Sequence, residues 1–234
     1  MKLWVAGLVG LLAVSASAAI YTDSSADIDP GIANGGGTLD ILSMEVTHNA
    51  TDLMFSLTVN GNITTTDWGN FMIGISTGGT GTPTGNGWAR PINLDSSTTD
   101  MDFWIGSWVN AGGGSELWAY GGASWTGPSA LGSYSFTAGT TSQIDYTVPL
   151  ATLGLGTGDT FYFDAYSSGG GGTDSAVDAL SNPNVSITSW SQTYTSDSGT
   201  GLSSYTVTAI PEPATMALLG MGALSVLGLR RRRR

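Results

Sequence analysis

The stretch DLMFSLTVNG, residues 52–61, decides how this chain folds. Leu53, Phe55, Leu57 and Val59 fall on one side of an extended backbone, with Met54, Ser56 and Thr58 on the other. Side chains alternate faces along a strand, so the pattern specifies a strand with one face in a core. Just upstream, LDILSMEVTH (residues 39–48) is apolar on no single face. Leu39, Ile41 and Ser43 point one way, while Asp40, Leu42, Met44 and Val46 hold no clean opposite face. That predicts a strand buried on both sides or one carrying a bulge. The intervening HNAT, residues 48–51, fits a hairpin connection.

The same period recurs downstream. Phe71, Ile73 and Ile75 alternate, as do Met101, Phe103 and Ile105. Further short strands are expected at 115–120, 134–137, 143–148, 160–166, 186–194 and 205–208. Residues 149–155 suit a short helical turn with proline in its first turn. Glycine clusters at 35–37, 112–114 and 169–172 read as loops; no lysine accompanies them and none opens a helix, so they do not cradle phosphate. No fixed repeat and no sustained helical period is visible. The expected fold is all-β, an antiparallel β-sandwich such as a jelly roll.

Both ends read as targeting segments around a central region, residues 20–209. Residues 1–19 have one charge, Lys2, then an apolar run. Ala16, Ser17 and Ala18 supply the small-x-small pattern of a signal peptide, with cleavage after Ala18 or Ala19. The central region holds seventeen acids against a single cation, Arg90. So acidic a surface repels phosphate backbones and argues against nucleic-acid binding. It also offers oxygen ligands to hard cations. The chain has no cysteine, which excludes disulfides, thiolate metal sites and thiol nucleophiles.

The last 25 residues, IPEPATMALLGMGALSVLGLRRRRR (210–234), contrast sharply with the acidic body. Pro211, Glu212 and Pro213 precede sixteen mostly apolar residues, 214–229, expected as a short transmembrane helix. Arg230, Arg231, Arg232, Arg233 and Arg234 follow directly, a bias that would hold this end inside and the body outside. Proline cannot continue a helix through the triplet, which therefore stays extended and accessible.

This tail resembles the PEP-CTERM sorting signal of Gram-negative bacteria: triplet, short span and arginine cluster in order. The resemblance implies recognition by an exosortase, a multi-pass membrane cysteine protease, and cleavage near Pro211, Glu212 and Pro213. It implies an inner-membrane precursor, then delivery to the cell surface or extracellular polymer matrix. Separately, IDYTVPLATLGLGTGDTFYFDAYSS (residues 144–168) is similar to the late strands of DOMON-like and family 9 carbohydrate-binding-like β-sandwiches. Some of those relatives bind sugars or haem.

Catalysis narrows by elimination. Residues 20–209 contain neither lysine nor cysteine, and His48, in the expected hairpin turn, is the only histidine. Schiff-base chemistry, Ser–Lys pairs and multi-histidine metal sites are excluded. Paired carboxylates remain; Glu45 and Glu116 are the only glutamates beside fifteen aspartates. The expectation is a non-catalytic exported structural component of the surface, exopolysaccharide or biofilm matrix, with no obligate cofactor. Its alternatives are a carbohydrate-binding module and, third, a carboxylate-dependent glycoside hydrolase. For the module, Trp88, Trp104, Trp108, Trp118 and Trp125 crowd one segment. Exposed, their indoles would stack on the sugar rings of an extracellular polysaccharide; buried on both faces, they would form a second layer of core. Calcium is the expected ion if one binds. Asp23, Asp27 and Asp29 lie close to Gly31, and Asp174 and Asp178 follow a glycine loop beside Asp164.

Overall fold

The computed structural model describes residues 18–33, 35, 37–96, 99–196 and 201–210. Ala16 of the signal region, the triplet Pro211, Glu212 and Pro213, the expected helix at 214–229 and the arginines 230–234 lie outside them. The strands in chain order are β1 (Ala19–Thr22), β2 (Ile41–His48), β3 (Asp52–Asn60), β4 (Asn70–Ser76) and β5 (Ile92–Ser96). Then come β6 (Thr99–Asp100), β7 (Phe103–Trp108), β8 (Gly114–Tyr120), β9 (Trp125–Ser129) and β10 (Ser133–Thr137). The series closes with β11 (Thr141–Pro149), β12 (Thr160–Ser168), β13 (Asp178–Ala179), β14 (Tyr194–Ser196) and β15 (Ser203–Thr206).

Strands β1-β2-β3-β11-β10 form one antiparallel sheet. The second runs β13-β12-β4-β7-β8-β9, with β15 also paired to β12. These two sheets pack face to face. Leu53, Phe55, Leu57 and Val59 of β3 are fully buried, as their spacing requires. Phe55 meets Phe161 and Phe163 of β12 edge-on at 6.1 and 5.8 Å. Such aromatic contacts add to the burial term that holds the layers together. Across the interface, Tyr146 and Ser107 share a hydrogen bond of 2.7 Å between their hydroxyls, which keeps two buried polar groups satisfied.

Every residue of β4 is buried, so this strand lies inside on both faces. Its second face is covered by a third small layer, β14-β5-β6, in which β14 and β5 run parallel. The register of β2 against β3 shifts between Ile41 and Ser43, which decides for a bulge between the two readings its mixed pattern left open. The expected helical turn is a 3-10 turn at Leu150–Leu153, closed by Gly154 in the left-handed conformation.

Two expectations are corrected. Within residues 186–194 only Tyr194 is in a strand; the rest is loop and turn, held where the Trp190 carbonyl accepts the N–H of Ser175 at 2.7 Å. Met101 does not share a face with Phe103 and Ile105. The alternation breaks at Asp102, whose Oδ2 accepts the backbone N–H of Thr77 at 2.7 Å and of Gly79 at 3.1 Å. Met101 instead covers the side of Gly74 that also faces Tyr166.

Candidate metal centre

The edges of the two main sheets meet where β1 lies against β12 and β15. Tyr21 packs edge-on against Phe163 at 5.0 Å, and its hydroxyl donates to the carbonyl of Ser204 at 2.5 Å. From β1 the chain crosses this edge before returning as β2. Asp23 and Asp27 sit in the crossing, Asp40 at its end and Asp178 on the short edge strand β13. One carboxylate oxygen each from Asp23, Asp27 and Asp178 lies within 4.8 Å of the others.

Hydrogen bonds fix Asp178, Asp23 and Asp40. Asp178, 1% exposed, accepts the N–H of Ile41 on Oδ2 at 2.6 Å and of Ala179 on Oδ1 at 2.8 Å. Asp23 is aligned by its own N–H donating to the carbonyl of Leu42 at 3.1 Å. Asp40 accepts from the Ala26 N–H at 3.1 Å and from Asn60 Nδ2 at 3.2 Å, both on Oδ2. Between Asp23 and Asp27, Ala26 holds a left-handed φ of 65°, an uncommon conformation for alanine that turns the crossing back on itself.

The remaining oxygens have no partner. Asp23 Oδ2, both oxygens of Asp27, and Asp40 Oδ1 are shielded from solvent and accept no hydrogen bond. Burying an ionised oxygen without compensation is strongly unfavourable. Burial, then the charges of Asp27, Asp164 and Asp40, push Asp23 up to about 8, against the pull of the Ser24 N–H. Burial also drives Asp178 well above the usual carboxylate range, with Asp23 and Asp27 adding to the effect. Asp27 is raised by burial and by Asp40. Among the described residues no side-chain cation relieves them. Arg90, the only Lys or Arg in residues 20–209, is spent elsewhere, donating to Ser168 Oγ and to the carbonyls of Gly169 and Asp174.

The sequence grouped these acids differently. Asp23, Asp27 and Asp178 come together. Asp29 instead closes a turn by accepting the Gly31 N–H at 2.7 Å, and Asp174 accepts from Gly171 at 2.8 Å. Asp164 is fully buried, accepting from Ser181 Oγ at 2.7 Å, from Ser196 Oγ, and from the N–H groups of Ser181 and Ala165. Asp40 was not singled out from sequence; the signal was an acid set between Leu39 and Ile41 in a buried run.

The tryptophans form mainly a second core layer. Trp104 is 0% exposed and stacks on Tyr166 at 6.0 Å, so it presents no face to a glycan. Strand β4 is covered on that side by β5 and Met101, which is why the alternation in β7 did not carry Trp104 to solvent. Trp88 packs over Gly106 between Trp104 and Trp108. Trp88 and Trp118 both donate their indole N–H to Glu116 Oε2, at 2.8 and 3.1 Å. Trp125 is half-buried against Tyr120 at 5.5 Å. The most exposed indole is Trp68, at 38%, edge-on to Trp190 at 6.2 Å. Glu45 lies exposed on the five-stranded sheet and Glu116 on the outer face of the seven-stranded one, so the two glutamates are not a facing pair. His48 is buried, its Nδ1 and Nε2 bonded to Tyr205 Oη at 2.7 Å and the carbonyl of Thr208 at 2.9 Å.

These features define an antiparallel all-β domain with a solvent-shielded acid cluster at one edge. Residues 209–234 match the family model of the PEP-CTERM protein-sorting motif. The chain therefore carries a PEP-CTERM sorting signal and is an exported, exosortase-processed protein of the Gram-negative cell surface. No curated protein and no solved structure matches the chain.

Proposed function

We propose that this protein is a non-catalytic structural component of the cell surface or extracellular polymer matrix, held briefly in the inner membrane as a precursor. The sorting motif at 209–234 carries this reading. The route follows from the tail's composition: an apolar segment followed by five arginines suits an anchor for the precursor, and proline on either side of Glu212 disfavours a helix through the triplet, which suits recognition by a protease. The His48 bonds to Tyr205 and Thr208 tie the chain to the folded body two residues before Ile210, the last described residue ahead of the triplet.

Replacing Pro211, Glu212 and Pro213 together with alanine tests the route. Membrane fractionation and immunoblotting should show full-length precursor accumulating in the inner membrane and loss of the surface form. Unchanged processing and surface display would overturn it.

A further inference from the structure

We propose that Asp23, Asp27 and Asp178, with Asp40 beside them, form a calcium site that fastens the crossing between β1 and β2 to the edge strand β13. Three observations converge. The first is spacing: two oxygens on opposite sides of a calcium ion, each about 2.4 Å from it, are about 4.8 Å apart. The oxygens of Asp23, Asp27 and Asp178 all fall within 4.8 Å of one another. The second is Asp40. It is 3% exposed, its charge acts on both Asp23 and Asp27, and its Oδ1 has no partner. Among the described residues nothing satisfies that atom. A cation would. The third is composition, because the single cation of residues 20–209 is committed to Ser168, Gly169 and Asp174.

The donor set selects the ion. The ionisable groups that converge are all carboxylates, which suits a hard cation over a metal that prefers nitrogen or sulfur. Several ligands from scattered chain positions suit the larger, geometrically tolerant calcium over magnesium, which keeps most of its own water. The cation replaces mutual repulsion of the acids by attraction to a shared centre. Binding only the folded state, it stabilises that state in proportion to the logarithm of ion concentration. Calcium is abundant outside cells and scarce within, so the edge locks after export. That timing rests on the surface reading above; the site itself does not, and in-vitro calcium binding and in-vivo processing fail independently.

The test uses the full chain purified in detergent and stripped with EDTA. Calorimetric titration should show saturable binding of one calcium per chain, with Kd in roughly the 0.1–1 mM range of extracellular modules. The melting temperature should climb with added calcium. Asp27→Asn is the informative variant, because neither Asp27 oxygen holds the fold by a hydrogen bond. It should weaken calcium binding by at least about tenfold, as losing one charged ligand does. In EDTA it should melt at or above the parent, because a repulsion has gone. Asp174→Asn, away from the cluster, should bind calcium as the parent does. No saturable binding up to about 10 mM, well past the weakest extracellular sites, would overturn the assignment. So would unchanged binding in Asp27→Asn, or a preference for magnesium.

Discussion

Asp164 shows how one residue is ruled by its surroundings. It lies on β12 facing the third layer, with donors from Ser181, Ser196 and two backbone N–H groups. Burial nevertheless pushes it from 3.8 to about 6, because four donors do not fully replace water around a charge. The folded state therefore holds a proton that the unfolded state has released. Its contribution is fully present below about pH 4 and is lost as pH rises through about 6, on the order of 3 kcal/mol in all. In EDTA, denaturant melts of the parent should show stability falling from pH 4 to pH 7, and Asp164→Asn should flatten part of that slope. An identical slope in both would contradict the assignment. The carboxylate was visible in FDAY from the start, but its neighbours Ser181 and Ser196 are far along the chain, so its environment was not.

Among the elements, β7 and β8 best separate what alternation reveals from what it hides. Period two puts Ile105 and Leu117 on one face, both in the main core, and Trp104 and Trp118 on the other. It could not say whether that face is wet. The answer depends on β5, Met101 and Trp88 folding back over it. Gly106 permits this, since a Cβ there would stand 2.2 Å from Trp88 Cζ2. Gly106→Ala should displace Trp88 from its place between Trp104 and Trp108 and cost about 1–3 kcal/mol, as overpacking does. A lowered denaturation midpoint with altered tryptophan fluorescence checks this; an unchanged midpoint would mean the indole layer is loose. Strand β1 makes the complementary point. It went unread because AIYT is short and abuts the signal region, and only pairing with β2 makes it a strand.

At the scale of the whole molecule, the expected signal cleavage falls where β1 begins. Ala19 opens β1 and pairs with Val46, while Ala18 is exposed and unpaired in any strand. Cleavage after Ala18 leaves β1 whole, so terminal sequencing of the mature protein should begin at Ala19. A start at Ile20 would show that the first pairing is dispensable. If β1 were lost, Asp23 would lose its approach to the acid cluster, which ties processing to the integrity of the edge.

The amino-acid sequence by itself determined the strands with one buried face, the irregular pattern of β2, the cation-poor body and the sorting tail. Each is written in neighbouring residues, through a period of two or a contiguous block. Tertiary structure alone decided which faces meet water and which acids meet each other. Ile41 and Asp178, joined by one hydrogen bond, stand 137 positions apart. Burial and charge convergence are sums over neighbours in space, and a linear pattern holds no information about a neighbour the fold has yet to bring.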